Sequence, residues 1–156
     1  MLYLKIVGSI IIMGAALFAS GFASAYEKRS VLTLEGFWEL INYAKNKIDI
    51  SLSDCKDIFS SAEKENFGID LDGVSDFNEA LERNGDYLTQ DVRGELYIFA
   101  SDFGETRREE QIKRCERLAT ILDKAKTLSR KKLREKTKME RTLILSLALL
   151  IILVLW

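Results

Sequence analysis

Two apolar runs without a single charge bracket this chain, and they constrain its folding more than any other feature. The first extends from Ile6 to Tyr26 and the second from Thr142 to Trp156. As helices rising about 1.5 Å per residue they would span roughly 30 Å and roughly 22 Å, against a hydrocarbon core of about 30 Å. The first is predicted to cross a membrane unaided. The second is slightly short, and anchors if the preceding Lys and Arg stems snorkel or the bilayer thins locally. The reading is therefore an N-terminal transmembrane helix over 1–26, a helical domain over 27–141 and a C-terminal transmembrane helix over 142–156.

The formal net charge of −1 conceals a strong asymmetry. From Ser30 to Thr106 there are 6 Lys/Arg against 17 Asp/Glu, a net of −11; from Arg107 to Arg141 there are 14 against 6, a net of +8. The basic excess is steepest just before the second run, at Arg130, Lys131, Lys132, Arg134, Lys136, Lys138 and Arg141. A polybasic segment abutting a bilayer attracts anionic lipid and favours the cytoplasmic side. Nucleic-acid binding would call for a basic face elsewhere as well, and none is present.

Lys28 and Arg29 follow the first run, and the Arg130–Arg141 cluster precedes the second. Both basic flanks thus lie toward the middle of the chain, which places the central domain in the cytoplasm. The alternative is an exported, tail-anchored helical binding module whose signal peptide is cleaved at Ala23-Ser24-Ala25. That would put the polybasic cluster outside the cell, against the positive-inside bias. Cys55 and Cys115 have no CxxC spacing and no histidine to complete a metal site, so two small core residues in a reducing compartment are expected. An exported domain would instead allow a Cys55–Cys115 disulfide.

The chain contains no proline, and its central glycines sit where elements should end, which favours long helices joined by short turns. Leu34, Phe37, Trp38, Ile41 and Ile48 keep a helical period, so the first helix is predicted to continue to about Asp49, with Trp38 as a packing residue. Ser53-Asp54 offers an N-cap for a second helix carrying Cys55, Ile58, Phe59 and Ala62. Residues 66–75 form a loop, in which Asp70 and Asp72 serve turns rather than calcium, since the further ligands of a calcium loop are missing. Ser75 caps a third helix to about Asn84, with Phe77 and Leu81 one turn apart. Thr89 opens a fourth, with Val92, Leu96, Phe99, Ala100 and Phe103 buried, and Gly104 ends it. A fifth begins near Glu105, buries Ile112, Cys115, Leu118, Ala119, Leu122 and Ala125, and meets no breaker before Thr142. The predicted fold is all-α, a membrane-anchored antiparallel helical bundle with transmembrane helices at both ends.

Catalysis would need a nucleophile with a base, a metal or a phosphate cradle, and the sequence offers none. There is no histidine, no GxxxxGK[ST] or GxGxxG loop, and no visible activating partner for either cysteine. No catalytic residue, metal, cofactor, nucleic acid or small-molecule substrate is expected. What remains is recognition, and two readings stand side by side: the opposite charges pair across the bundle, or an acidic patch around Asp86, Asp91, Glu95 and Asp102 meets a basic partner.

The layout, together with the segment LTQDVRGELYIFASDFGETRREEQIKRCERL, resembles the stage III sporulation protein AB family of endospore-forming Firmicutes. Leu88-Thr89, Gly104 and the following Gln111 carry the match. In that family an acidic residue stands three positions after the glycine, where this chain has Arg107. The family's first interhelix turn is of Thr-Pro-Leu type, where this chain reads Ile50-Ser51-Leu52. The resemblance implies a membrane component of the apparatus joining mother cell and forespore during engulfment, similar to a reduced inner-membrane platform protein of type II secretion and type IV pilus systems. It implies a mother-cell cytoplasmic domain that docks a stage III sporulation protein AA-like ATPase and other membrane members of the assembly. Gly104 and Gln111 join the acidic residues as candidate partner-binding positions, and the basic cluster is the candidate lipid contact.

Overall fold

A computed structural model describes the backbone of residues 2–51 and 55–155, with side chains throughout 25–50 and 57–139 and at scattered positions of 7–18 and 142–151. The elements are α1 (Leu2–Ser51), α2 (Cys55–Ala62), α3 (Phe77–Asn84), a 3₁₀ turn (Gly85–Tyr87), α4 (Gln90–Asp102) and α5 (Arg108–Leu155). The described chain is all-helical apart from its loops. It divides into two compact units: Met1–Lys28 with Arg130–Trp156, and Arg29–Ser129. Among the described residues no helix is long and apolar enough to cross a membrane.

The core of the 29–129 unit follows the helical period read from the sequence. On α1, Leu34, Phe37, Leu40, Ile41, Ala44 and Ile48 are buried. They face Cys115, Leu118 and Leu122 of α5, and α2 adds Ile58, Phe59 and Ala62. Phe77 of α3 is the hub. Its ring centroid lies 4.9 Å from Phe59, 5.1 Å from Phe99 and 4.6 Å from Phe103, each in edge-to-face geometry, the arrangement aromatic quadrupoles favour.

Within this unit α1 and α5 run antiparallel. Asp49 pairs with Arg108 at 3.2 Å and Lys45 with Glu116 at 2.7 Å, while Lys126 stands 4.0 Å over the Trp38 ring. Trp38 therefore packs, as its distance from the apolar run suggested. In the other unit Glu27 and Lys136 pair at 3.0 Å.

The 63–76 segment is held by side chains rather than by regular structure. Asn84 accepts a hydrogen bond from the Asp70 N–H and donates one to the Asp70 carbonyl, at 2.9 and 2.8 Å. Arg83 donates to the Asp72 carbonyl, and the Asp70 carboxylate accepts from the Asp72 N–H. These are turn contacts. Where the chain crosses α1, Gly36 lets it approach closely: a Cβ there would lie 2.5 Å from the Phe67 carbonyl oxygen.

Several boundaries are corrected. The third helix is capped by Asp76, not Ser75: the Asp76 carboxylate accepts from the Glu79 N–H at 2.9 Å. Glu79 reaches back to accept from the Ser75 N–H and hydroxyl, completing a reciprocal cap. The Ser75 N–H first, then its hydroxyl and Arg83, hold the Glu79 carboxyl below its usual range. α1 runs two residues past Asp49, and α5 starts at Arg108, three residues after Glu105. The Ser53-Asp54 cap and Leu52 lie outside the described residues, as does the side chain of Cys55.

Candidate partner-docking surface

The acidic residues singled out from the sequence fall along α4 and the turn before it. Asp86 sits in the 3₁₀ turn, 3.9 Å from Arg93. Asp91, Glu95 and Asp102 are spaced four and seven residues apart on α4, so they share one face with Ile98. Asp102 is engaged: Arg114 of α5 bonds it at 2.7 Å and Glu110 at 3.2 Å. The guanidinium's bond to Asp102, and then its bond to Glu110, raise its pKa. Among the described residues Asp91 and Glu95 have no such partner.

Gly104 and Gln111 build the turn between α4 and α5. Gly104 adopts a φ of +93°, a region that residues with a Cβ rarely enter. Gln111 donates to the Thr106 carbonyl at 3.1 Å, tying the start of α5 back onto that turn. Arg107 is the N-cap of α5, its carbonyl accepting from the N–H groups of Glu110 and Gln111. An N-cap carboxylate satisfies free N–H groups and suits the positive end of the helix dipole, whereas arginine does neither. Arg107→Asp is therefore expected to stabilise the chain by about 1 kcal/mol. Thermal unfolding in detergent checks this, and an unchanged or lowered midpoint would show that the cap does not limit this helix.

Beside this turn α4 and α5 enclose a groove of about 430 Å³. Phe99, Leu118 and Ile121 line its floor, the Asp102–Arg114 pair closes one end, and Glu95 and Arg117 stand on opposite rims. Ile98, also lining it, is 63% exposed. Ile98 and Arg117 were not singled out in the sequence, although Ile98 stands seven residues after Asp91, on the same face.

The basic cluster lies on α5 within the other unit. Arg130, Lys132, Arg134 and Lys138 are exposed, Lys136 pairs with Glu27, and Lys131 lies 3.9 Å from Glu135. The side chain of Arg141 is outside the described residues. Cys115 is a buried free thiol, pushed up to about 12 chiefly by that burial, with Lys45 acting in the opposite direction. Among the described residues no cluster of His, Cys, Asp and Glu could hold a metal ion.

Residues 70–156, more than half of the chain, match the family model for stage III sporulation protein AB. The chain belongs to that family. The match begins at the loop pinned by Asn84 and takes in the groove and all of α5, and family membership assigns the chain a role in sporulation. No curated protein and no solved structure matches it.

Proposed function

We propose that this family member is a non-enzymatic platform component of the channel-like complex between mother cell and forespore, anchored at both ends in the mother-cell membrane. Its 29–129 unit lies in the cytoplasm and docks a stage III sporulation protein AA-like ATPase together with other membrane members of the assembly. The observation that carries the anchoring is the apolar surface of the terminal unit. Val7, Ile10, Ile11 and Phe18 of α1, and Leu143, Leu147 and Leu150 of α5, are between 52% and 72% exposed. A surface of that kind is unfavourable in water, and acyl chains would cover it. The charge-free lengths of both runs and their basic flanks support the same reading.

The basic cluster then faces anionic headgroups. Replacing Lys132, Arg134 and Lys138 together by glutamine is expected to weaken binding to anionic vesicles by about 1 kcal/mol per charge. Lys136→Gln should weaken it less, because Glu27 already engages that ammonium. The preference of the full chain for phosphatidylglycerol over phosphatidylcholine vesicles in flotation checks both; a preference that survives the triple change would remove the anionic-lipid role of the cluster.

For docking, Asp91 is the test position, exposed on the first turn of α4. Co-purification of the ATPase with the full-length chain in detergent should succeed with the wild type and fail with Asp91→Lys. Absence of the ATPase from the wild-type complex would contradict the platform reading.

A further inference from the structure

The α4–α5 face carries two parallel stripes of opposite sign. On α4 the stripe is Asp91, Glu95 and Ile98, closed at its far end by the paired Asp102. On α5, positions three or four apart give Arg117, Ile121, Lys124 and Leu128, all on one side of the helix. Asp91, Glu95, Arg117 and Lys124 have no charge partner among the described residues. Ile98 and Leu128 project beside them, 63% and 53% exposed.

A uniformly basic partner would meet Arg117 and Lys124 as well as the carboxylates, and like charges across an interface are unfavourable. The face is instead complementary to itself. Rotation by 180° about an axis along the groove carries each stripe onto the opposite one, so acid meets base twice, as an isologous interface requires. Rotation about an axis across the groove would set acid on acid.

We propose that this face pairs with a second copy of the chain, across a two-fold axis running along the α4–α5 groove. Glu95 of one copy meets Arg117 and Lys124 of the other, and reciprocally. Ile98 of each copy enters the groove of its partner, over Phe99, Leu118 and Ile121. The inference rests on the 29–129 unit alone; Asp91, the position tested for ATPase docking, lies on the same face, so self-pairing is tested at Glu95 and Arg117 with no ATPase present.

Charge reversal with mixing tests it. The full-length chain in mild detergent, sized by light scattering corrected for bound detergent, is expected to have a dimer's protein mass. Glu95→Arg alone and Arg117→Glu alone each set like charges opposite one another twice, and each should weaken self-association by about tenfold or more. An equimolar mixture of the two variants should recover the dimer. In that mixture each new arginine faces a new glutamate, and each native glutamate faces a native arginine. Helical circular dichroism of both variants should match the wild type, since neither side chain is buried. A monomeric wild type, single variants that dimerise as the wild type does, or a mixture that stays monomeric would each overturn the proposal. So would single reversals that leave the mass unchanged while abolishing capture of a different protein.

Discussion

Phe77→Ala is expected to destabilise the 29–129 unit by about 3–5 kcal/mol, the range for a buried aromatic cut back to alanine. Phe77 is 3% exposed and meets three other rings, from α2, α4 and the turn after α4. Truncation removes three edge-to-face contacts together and leaves a void that α3, only eight residues long, is poorly placed to fill. A loss of this size is a large part of the total stability of a domain this small. Thermal and urea unfolding of the full-length chain in detergent measure it. Asn78→Ala, exposed on the next position of the same helix, is the control, with an expected change of no more than about 0.5 kcal/mol. If Phe77→Ala melted with the control, the aromatic cluster would not be the centre of this core.

Two glycine-to-alanine changes are expected to act with opposite signs. In a helix interior alanine is ordinarily favoured over glycine by roughly 0.5–1 kcal/mol. Gly94 of α4 has nothing within 4 Å of a built Cβ, so Gly94→Ala should gain that amount. Gly36 of α1 would place its Cβ 2.5 Å from the Phe67 carbonyl oxygen and 2.6 Å from Ile69 Cγ2. One of these neighbours is backbone, so relief requires the pinned 63–76 segment to move off α1. Gly36→Ala is therefore expected to cost about 1–3 kcal/mol despite its better helix propensity. The two unfolding midpoints should move in opposite directions; a rise for both would mean that the segment does not press on α1.

The helices were legible because their buried positions recur with the right period: Leu34, Phe37 and Ile41 on α1, Val92, Leu96 and Phe99 on α4, Cys115, Leu118 and Leu122 on α5. Local periodicity carries no information about pairs that meet only after folding. Asn84 and Asp70 are fourteen residues apart, Arg114 and Asp102 twelve, and nothing at either end announces the other. The close approach at Gly36 depends in the same way on where a distant loop comes to rest. The cap assigned to Ser75 was one residue off because Ser75 and Asp76 are both good capping residues, and Glu79 bonds to both.

The candidate surface was legible in part for the same reason. Asp91 and Glu95 share one face of α4 with Ile98, Asp102 is paired with Arg114, and Gly104 stands exposed in the turn to which Gln111 bonds. Arg114 and Arg117 carry no local signal of their own, because both lie in a helix with basic residues along much of its length and only folding sets them against α4.

The most direct test of the account is the side of the membrane on which the 29–129 unit lies. Native thiols serve poorly, because Cys115 is buried and its thiol, pushed up to about 12, stays protonated and shielded at neutral pH. Glu65→Cys in a Cys55→Ser background supplies an exposed reporter in the loop after α2. With a membrane-impermeant maleimide, the account predicts no labelling at residue 65 in intact cells and full labelling once the membrane is permeabilised. Labelling in intact cells, on a chain whose mature N-terminus is Tyr26, would contradict it and identify an exported module instead.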